Sequence, residues 1–177
     1  MESKSPKEIQ VEEKITELVT KIVDGQTSGD DLPMRLWNSL RNNQEIVAIQ
    51  NYANKVSIGR LGLNDHGPVH MKTVCRNALK MLSILHTAGM QTSLEKENIG
   101  TFADSIAAVM LASLLHDSGM TIGRKGHELY SGIISYSIIE KVLSQILPEN
   151  SNILRRTIIR SIAMEGIIGH MATHPIH

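Results

Sequence analysis

The feature that most constrains this chain is a nearly unbroken apolar run that ends in a histidine and an aspartate. From Ala107 to Leu115 only Ser113 is polar, and His116-Asp117 follows directly. The run predicts a helix that is buried on most sides and delivers an imidazole and a carboxylate into the interior. Because an ionised carboxylate is costly to bury without a compensating partner, a divalent cation held by both side chains would satisfy the pair.

Length and charge define the class of protein. With 177 residues, of which 41% are hydrophobic, the chain is long enough for one compact domain with its own core. Lysine plus arginine and aspartate plus glutamate balance at 18 each, so no overall field attracts nucleic acid or an anionic membrane. Aromatic residues make up only 3%, which argues against base stacking. We therefore expect no nucleic-acid polymer as a partner.

The chain shows no targeting or redox signature. The N-terminus is charged without the apolar core of a signal peptide, and no apolar run approaches the roughly 18 residues of a membrane span. We therefore predict a cytoplasmic protein with no membrane partner. Cys75 is the sole cysteine, which excludes an internal disulfide and a cysteine-based zinc site. Its amphipathic surroundings favour a small core residue.

Helical periodicity dominates the sequence and predicts an all-α fold without strands or repeats. Residues 1–57 are predicted to form an N-terminal helical extension, and residues 58–177 a functional helical bundle. Two glycine-containing segments, 59–67 and 118–126, are predicted to be loops. The predicted helices cover residues 6–25, 32–40, 46–56, 68–88, 102–117, 127–147 and 151–169.

Four of the eight histidines fall at ends of predicted helices. His70 lies near the start of one helix, His116 ends the buried helix, His127 begins the next, and His170 follows the last. Helix ends can converge, so these imidazoles and Asp117 are predicted to share a metal site. Imidazoles with one carboxylate suit manganese, iron, cobalt, nickel or zinc, whereas magnesium prefers more oxygen ligands.

The remaining histidines have different predictions. If Pro68 is the first helical residue, His66 precedes the cap and does not share a helix face with His70, so it is interpreted as a loop residue or an outer-shell group. His86 lies among leucines and is interpreted as structural. The sequence assigns no role to His174 and His177.

Two motifs carry a family resemblance. His70-x-x-x-Val74 and Leu114-Leu115-His116-Asp117-x-Gly119 resemble the HD superfamily of metal-dependent phosphohydrolases, which is named for its His-Asp pair. The string RLGLNDHGPVH at 60–70 and the later Gly126-His127-Glu128 are similar to an archaeal-type branch of uncharacterised HD hydrolases. The resemblance covers roughly residues 50 to 177.

The resemblance implies an HD-domain helical bundle with one or two divalent metal ions. The first histidine and the His-Asp pair of the family carry over to His70, His116 and Asp117, and the ligands of a second ion to His127 and His170. The family's last ligand is an aspartate in a further helix, and no aspartate follows Asp117 here. We therefore expect that the chain is truncated at its C-terminus or that the site is incomplete.

The predicted activity is hydrolysis of a phosphomonoester or phosphodiester, with a nucleotide as one such small phosphorylated substrate. A bound metal can activate water and polarise a phosphoryl oxygen. Asp117 would orient the attacking water, and Arg124 and Lys125 would neutralise developing charge on the phosphate. Lys72 and Arg76 are the second choices for that role.

Two other functions fit the same sequence pattern. A non-catalytic module that binds metal or nucleotide is motivated by the missing aspartate. A di-iron oxygenase is the alternative from another enzyme class, because helical scaffolds with His-Asp ligands also serve that group. A homo-oligomer fits the sequence as well, with residues 1–57 as either a dimer interface or a lid.

Overall fold

The computed structural model describes residues 4–171, and this range contains eight α-helices and no strand. The predicted all-α class is therefore confirmed. Within the same range, no helix combines the length and the apolarity that a bilayer span requires. The helices are α1 (Pro6–Gln26), α2 (Leu32–Leu40), α3 (Gln44–Asn54), α4 (Pro68–Thr87), α5 (Ser93–Lys96), α6 (Phe102–Leu115), α7 (His127–Ile146) and α8 (Ile153–Ile168).

Several helices begin where side chains cap their free backbone amides. The Ser5 hydroxyl accepts a hydrogen bond from the amide of Glu8 at the start of α1, and Pro6 suits the first turn. At the start of α6, Thr101 and Asp104 form a reciprocal capping box. These local signals fix where α6 starts.

Helix α6 forms the centre of the molecule. Twelve of its fourteen residues are buried, and it packs against α4 and α8, while α1 covers α4. Helices α1 to α3, predicted as an extension, contribute Ile15, Trp37 and Ile46 to the same apolar core as the later helices. The C-terminal end of α6, where His116 follows, is thus held firmly from several sides.

The structure differs from the sequence predictions at several short elements. A π-helical turn covers Lys55–Arg60, where residues 59 and 60 were predicted to lie in a loop. Helix α5 was not predicted, because a helix of four residues has no periodicity to detect. Helix α6 ends two residues earlier than predicted, and Ser118–Thr121 forms a 3-10 turn after Asp117.

The prediction that Lys72 faces the phosphate is wrong. Its ammonium group is buried and lies 2.5 Å from a carboxylate oxygen of Glu8 and 2.5 Å from one of Glu12, both on α1. Residues two apart point to different sides of a helix, so Lys72 faces α1 while His70 faces α6. Arg76 remains partly exposed on α4, and its guanidinium lies 3.5 Å from the amide oxygen of Asn77.

Candidate metal centre

Four helix ends bring the predicted histidines together. His70 lies in the first turn of α4, and His116 follows the last residue of α6. His127 is the first residue of α7, and His170 lies two residues beyond α8. The helix termini therefore converge on one cluster, as predicted from the positions of these histidines.

The Asp117 carboxylate lies at the centre of the cluster and divides the imidazoles into two pairs. Its Oδ2 atom lies 3.3 Å from Nε2 of His70 and 3.2 Å from Nε2 of His116. Its Oδ1 atom lies 3.3 Å from Nε2 of His127 and 3.8 Å from Nε2 of His170. One carboxylate oxygen thus serves each pair of histidines.

The backbone around Asp117 holds this carboxylate in place. The Asp117 carbonyl accepts a hydrogen bond from Met120 in the 3-10 turn, and the side chain is buried. Gly119 packs directly on the start of α7, where a Cβ atom would lie 2.1 Å from the His127 carbonyl oxygen. Only glycine permits this close approach, which brings His127 next to Asp117.

Three of the histidines have their tautomer fixed by backbone carbonyls. A carbonyl oxygen only accepts hydrogen bonds, so each Nδ1 atom must carry a proton and Nε2 is the atom that faces Asp117. Nε2 donates to Asp117 when the ring is protonated and offers a lone pair to a metal ion when the ring is neutral. Such hydrogen bonds typically orient imidazoles that ligate metals. The pairs are His116 with Ser113 at 2.9 Å, His127 with Arg124 at 2.9 Å, and His170 with Ile167 at 2.6 Å.

The cluster shifts the acid–base properties of its members. Burial acts to raise the pKa of the Asp117 carboxyl, but hydrogen bonds from His116, His127 and His70 together hold that pKa far below its usual range. The hydrogen bond to Asp117 raises the pKa of His70 and of His127. Burial lowers the pKa of His170. Asp117 is therefore an anion over the whole physiological pH range.

The arrangement fits divalent cations. Ligand atoms bound at about 2.1 Å to one ion lie roughly 3.0 to 4.2 Å apart, which matches the distances from Asp117 to all four imidazoles. Two ligand groups result, His70 with His116 and His127 with His170, and Asp117 is common to both. Each group supplies three protein ligands, which is typical of sites that keep a position for water or substrate.

His66 lies beside the cluster and is anchored more firmly than the sequence suggested. Its ring centroid is 5.5 Å from that of His70, and its Nδ1 atom lies 2.7 Å from the Asn64 carbonyl oxygen. Nδ1 also lies 2.8 Å from the hydroxyl of Ser57, which belongs to the π-helical turn. Because Nδ1 donates to the carbonyl, Nε2 is the acceptor, and it faces Nη1 of Arg124 at 3.4 Å.

The loop before α7 places positive charge near the cluster. Arg124 contacts two histidines, because its carbonyl oxygen binds His127 and its guanidinium faces His66. Lys125 is exposed in the same loop, and its role stays a prediction. The buried Glu128, quoted above only as part of a motif, lies 3.4 Å from Nδ1 of His127. Its position directly after His127 in the sequence is the signal that could have singled it out.

The structure separates the other reactive side chains from the site. His86 stacks on Phe102 at 3.6 Å between ring centroids and lies 3.2 Å from Glu95, which agrees with a structural residue. Cys75 is fully buried, and burial raises the pKa of its thiol to about 12, so it is not a nucleophile. His174 and His177 lie outside the described residues.

Comparison with known proteins identifies one similar sequence. The chain is 34% identical over 141 residues to the uncharacterized protein MJ1020 of Methanocaldococcus jannaschii, a match that covers 78% of this chain and 54% of the relative. The chain thus spans about half the length of this curated relative. No family model matches the sequence, and no solved structure matches it.

Proposed function

We propose that this chain is a metal-dependent phosphohydrolase of the HD type, in which Asp117 would be a ligand common to two divalent cations. The observation that supports this most strongly is the division of the carboxylate, with Oδ2 beside His70 and His116 and Oδ1 beside His127 and His170. Among the transition metals, manganese, iron, cobalt, nickel and zinc suit the nitrogen-rich ligand set better than magnesium does.

A bound divalent cation in such a site lowers the pKa of a coordinated water towards neutrality and polarises a phosphoryl oxygen. Three of the imidazoles would present Nε2 to a cation because backbone carbonyls hold their Nδ1 protons. Asp117 would remain ionised, and its remaining lone pairs could accept a hydrogen bond from the attacking water. No cysteine or serine nucleophile is required.

Arg124 supplies positive charge for the phosphate in this proposal. Its guanidinium faces His66 at the edge of the cluster and is exposed, so it can reach a phosphoryl oxygen as charge develops there. Lys125 is one residue further along the loop and would act as a second cation. The substrate would be a small phosphorylated molecule, and the protein would act in the cytoplasm.

Two groups of three candidate ligands form here without the later aspartate that is typical of the family. His127 and His170 with Asp117 form the second group from residues before position 171. A site with this ligand set would bind metal as the chain stands, whatever follows in a longer protein. The same bridging carboxylate also suits a di-iron oxygenase, which is the second candidate.

Metal content and phosphate release measured together test the proposal. We expect the purified protein to hydrolyse simple phosphate esters, to lose this activity on chelation and to recover it when manganese, cobalt or zinc is restored. Asp117→Ala should lower the rate about a hundredfold or more. Asp24→Ala, which removes an exposed carboxylate on α1, is the matched control and should leave the rate unchanged.

The alternatives predict different results. A non-catalytic module would hold metal tightly without hydrolysing any ester in a broad phosphate panel. A di-iron oxygenase would show a mixed-valent di-iron signal after one-electron reduction of the air-oxidised centre. Hydrolysis that persists at the full rate after chelation and in Asp117→Ala would contradict the proposal.

A further inference from the structure

An open cavity of about 290 Å³ adjoins the candidate metal centre between α4, α6 and α8. Its lining includes one histidine from each ligand pair, His116 and His170, whose ring centroids lie 5.0 Å apart. A ligand in the cavity would therefore lie against both halves of the centre. The other lining residues are Val74, Ala112, Ser113 and Gly166.

The walls of this cavity are small and uncharged. Val74 comes from the α4 turn after His70, Ala112 from α6, and Gly166 from α8. Among the described residues that line the cavity, no lysine, arginine, aspartate or glutamate occurs. An uncharged group would enter the cavity at a small cost in desolvation free energy. A second phosphate would lose its hydration there and would find no positive side chain to replace it.

The space depends on the short side chains of α6 and α8. A Cβ atom added at Gly166 would lie 3.1 Å from the Cβ of Ala112, so the two helices approach closely beside the cavity. Its volume is at the lower end for small-molecule pockets, which typically measure about 300 to 1,000 Å³. It has room for one ring but not for a dinucleotide.

Positive charge lies elsewhere around the centre. Arg124 faces His66, and neither residue lines the cavity. An anion bound at the centre would therefore meet the arginine in one region and an uncharged cavity in another. This separation matches a molecule that has one charged end and one uncharged end.

We propose that this cavity binds the uncharged organic group of the substrate, a group the size of a single ring, while the phosphate occupies the metal centre. The inference rests on the proposed function, because the metal centre must hold the phosphate. It adds the substrate class, namely a monophosphate whose organic group carries one uncharged ring next to the phosphoryl oxygen.

Two non-hydrolysable anions of equal charge test this inference without relying on activity. Phenylphosphonate carries a phenyl ring where methylphosphonate carries a methyl group, and calorimetric titration of the metal-loaded full chain, at a pH where both are dianions, measures both affinities. We expect phenylphosphonate to bind about tenfold more tightly, which corresponds to roughly the free energy of burying part of one ring.

Substitutions in the cavity wall test whether the preference for phenylphosphonate arises from binding in the cavity. Val74→Phe should fill the cavity and bring the affinity ratio of the two phosphonates to about one, with methylphosphonate binding retained. Val74→Leu, a milder change that keeps the fold if phenylalanine does not, should give an intermediate ratio. Ile84→Phe, at an exposed position of the same helix, is the matched control and should keep the ratio of the unaltered chain.

The outcomes separate this inference from the function on which it rests. Equal affinities of the two phosphonates for the unaltered chain, or a ratio that Val74→Phe and Val74→Leu leave unchanged, would overturn the cavity assignment and leave the metal centre intact. If the metal-loaded chain binds neither phosphonate, the proposed function fails and the cavity assignment fails with it.

Discussion

His127 and His170 face each other with their Nε2 atoms 3.1 Å apart. Both rings donate their Nδ1 protons to backbone carbonyls, so both neutral rings present lone pairs to the same point. Two acceptors at this distance repel unless a proton or a cation lies between them. Because His127 begins α7 and His170 follows α8, a shared cation would tie these two helix ends together.

Chelation should therefore lower the stability of the folded chain. A cation that binds only the folded state stabilises it by about 2.7 kcal/mol when present at a hundred times its dissociation constant. We expect a higher thermal midpoint with manganese or zinc than with chelator. The difference should be smaller in His170→Ala, which keeps only the group of His70, His116 and Asp117. Equal midpoints with and without metal in the unaltered chain would contradict the account.

Removal of the Arg124 side chain should slow hydrolysis without loss of metal. In Arg124→Ala the backbone carbonyl that holds His127 remains, so the variant isolates the guanidinium. We expect kcat/KM for a phosphate ester to fall about 10- to 100-fold, since a charge-assisted hydrogen bond to phosphate is lost. Metal content, measured by elemental analysis, should not change. Lys141→Ala removes an exposed cation on α7 and serves as the control.

His66 should act through Arg124. Its Nε2 atom accepts from the guanidinium, and Ser57 and Asn64 hold its ring, so His66 sets where Arg124 points. We expect His66→Ala to reduce kcat/KM about tenfold in the unaltered chain and to have little further effect in Arg124→Ala. Additive losses in this double-mutant cycle would show that His66 acts independently.

Much of the site could be predicted because it depends on local sequence signals. The apolar run before His116 required a buried helix, and Pro68 and Gly126 indicated the starts of α4 and α7 beside His70 and His127. Histidines at helix ends come together only if the helices pack with those ends at the same place in the bundle. The sequence indicated which helix ends carry the clustered histidines, whereas the pairing of each Asp117 oxygen with two of them required coordinates.

What could not be predicted depends on contacts between distant residues. The π-helical turn that brings Ser57 to His66 has no periodic pattern, and its glycine suggested a loop. Lys72 was placed near the phosphate because it follows His70 closely in sequence. Its actual partners, Glu8 and Glu12, lie more than fifty residues away on α1.

The Lys72 ion pairs should stabilise the packing of α1 on α4. Lys72 is buried, so Lys72→Met would leave Glu8 and Glu12 without their shared cation. Breaking a buried pair from one side costs about 3 kcal/mol. We expect the free energy of unfolding in urea to fall by about that amount. A change below about 0.5 kcal/mol, typical of a surface residue, would contradict this role.

The same network predicts a loss of stability in acid. Burial acts to raise the pKa of Glu12, but Lys4 and Lys72 together lower it below its ordinary value. A carboxyl with a lowered pKa in the folded state stabilises the fold above its unfolded pKa of about 4.3, and this contribution is lost as the pH falls through the folded value. Urea unfolding between about pH 6 and pH 3 should therefore depend less on pH in Glu12→Gln. Glu13→Gln, an exposed neighbour, should behave like the unaltered chain.

Metal stoichiometry in three single variants tests the central claim most directly. If Asp117 bridges two cations, elemental analysis after saturation and desalting should give two metal ions per unaltered chain. It should give one ion in both His70→Ala and His127→Ala, and none in Asp117→Ala. A single ion in the unaltered chain that His70→Ala and His127→Ala abolish equally, or full metal content in Asp117→Ala, would contradict the bridged pair.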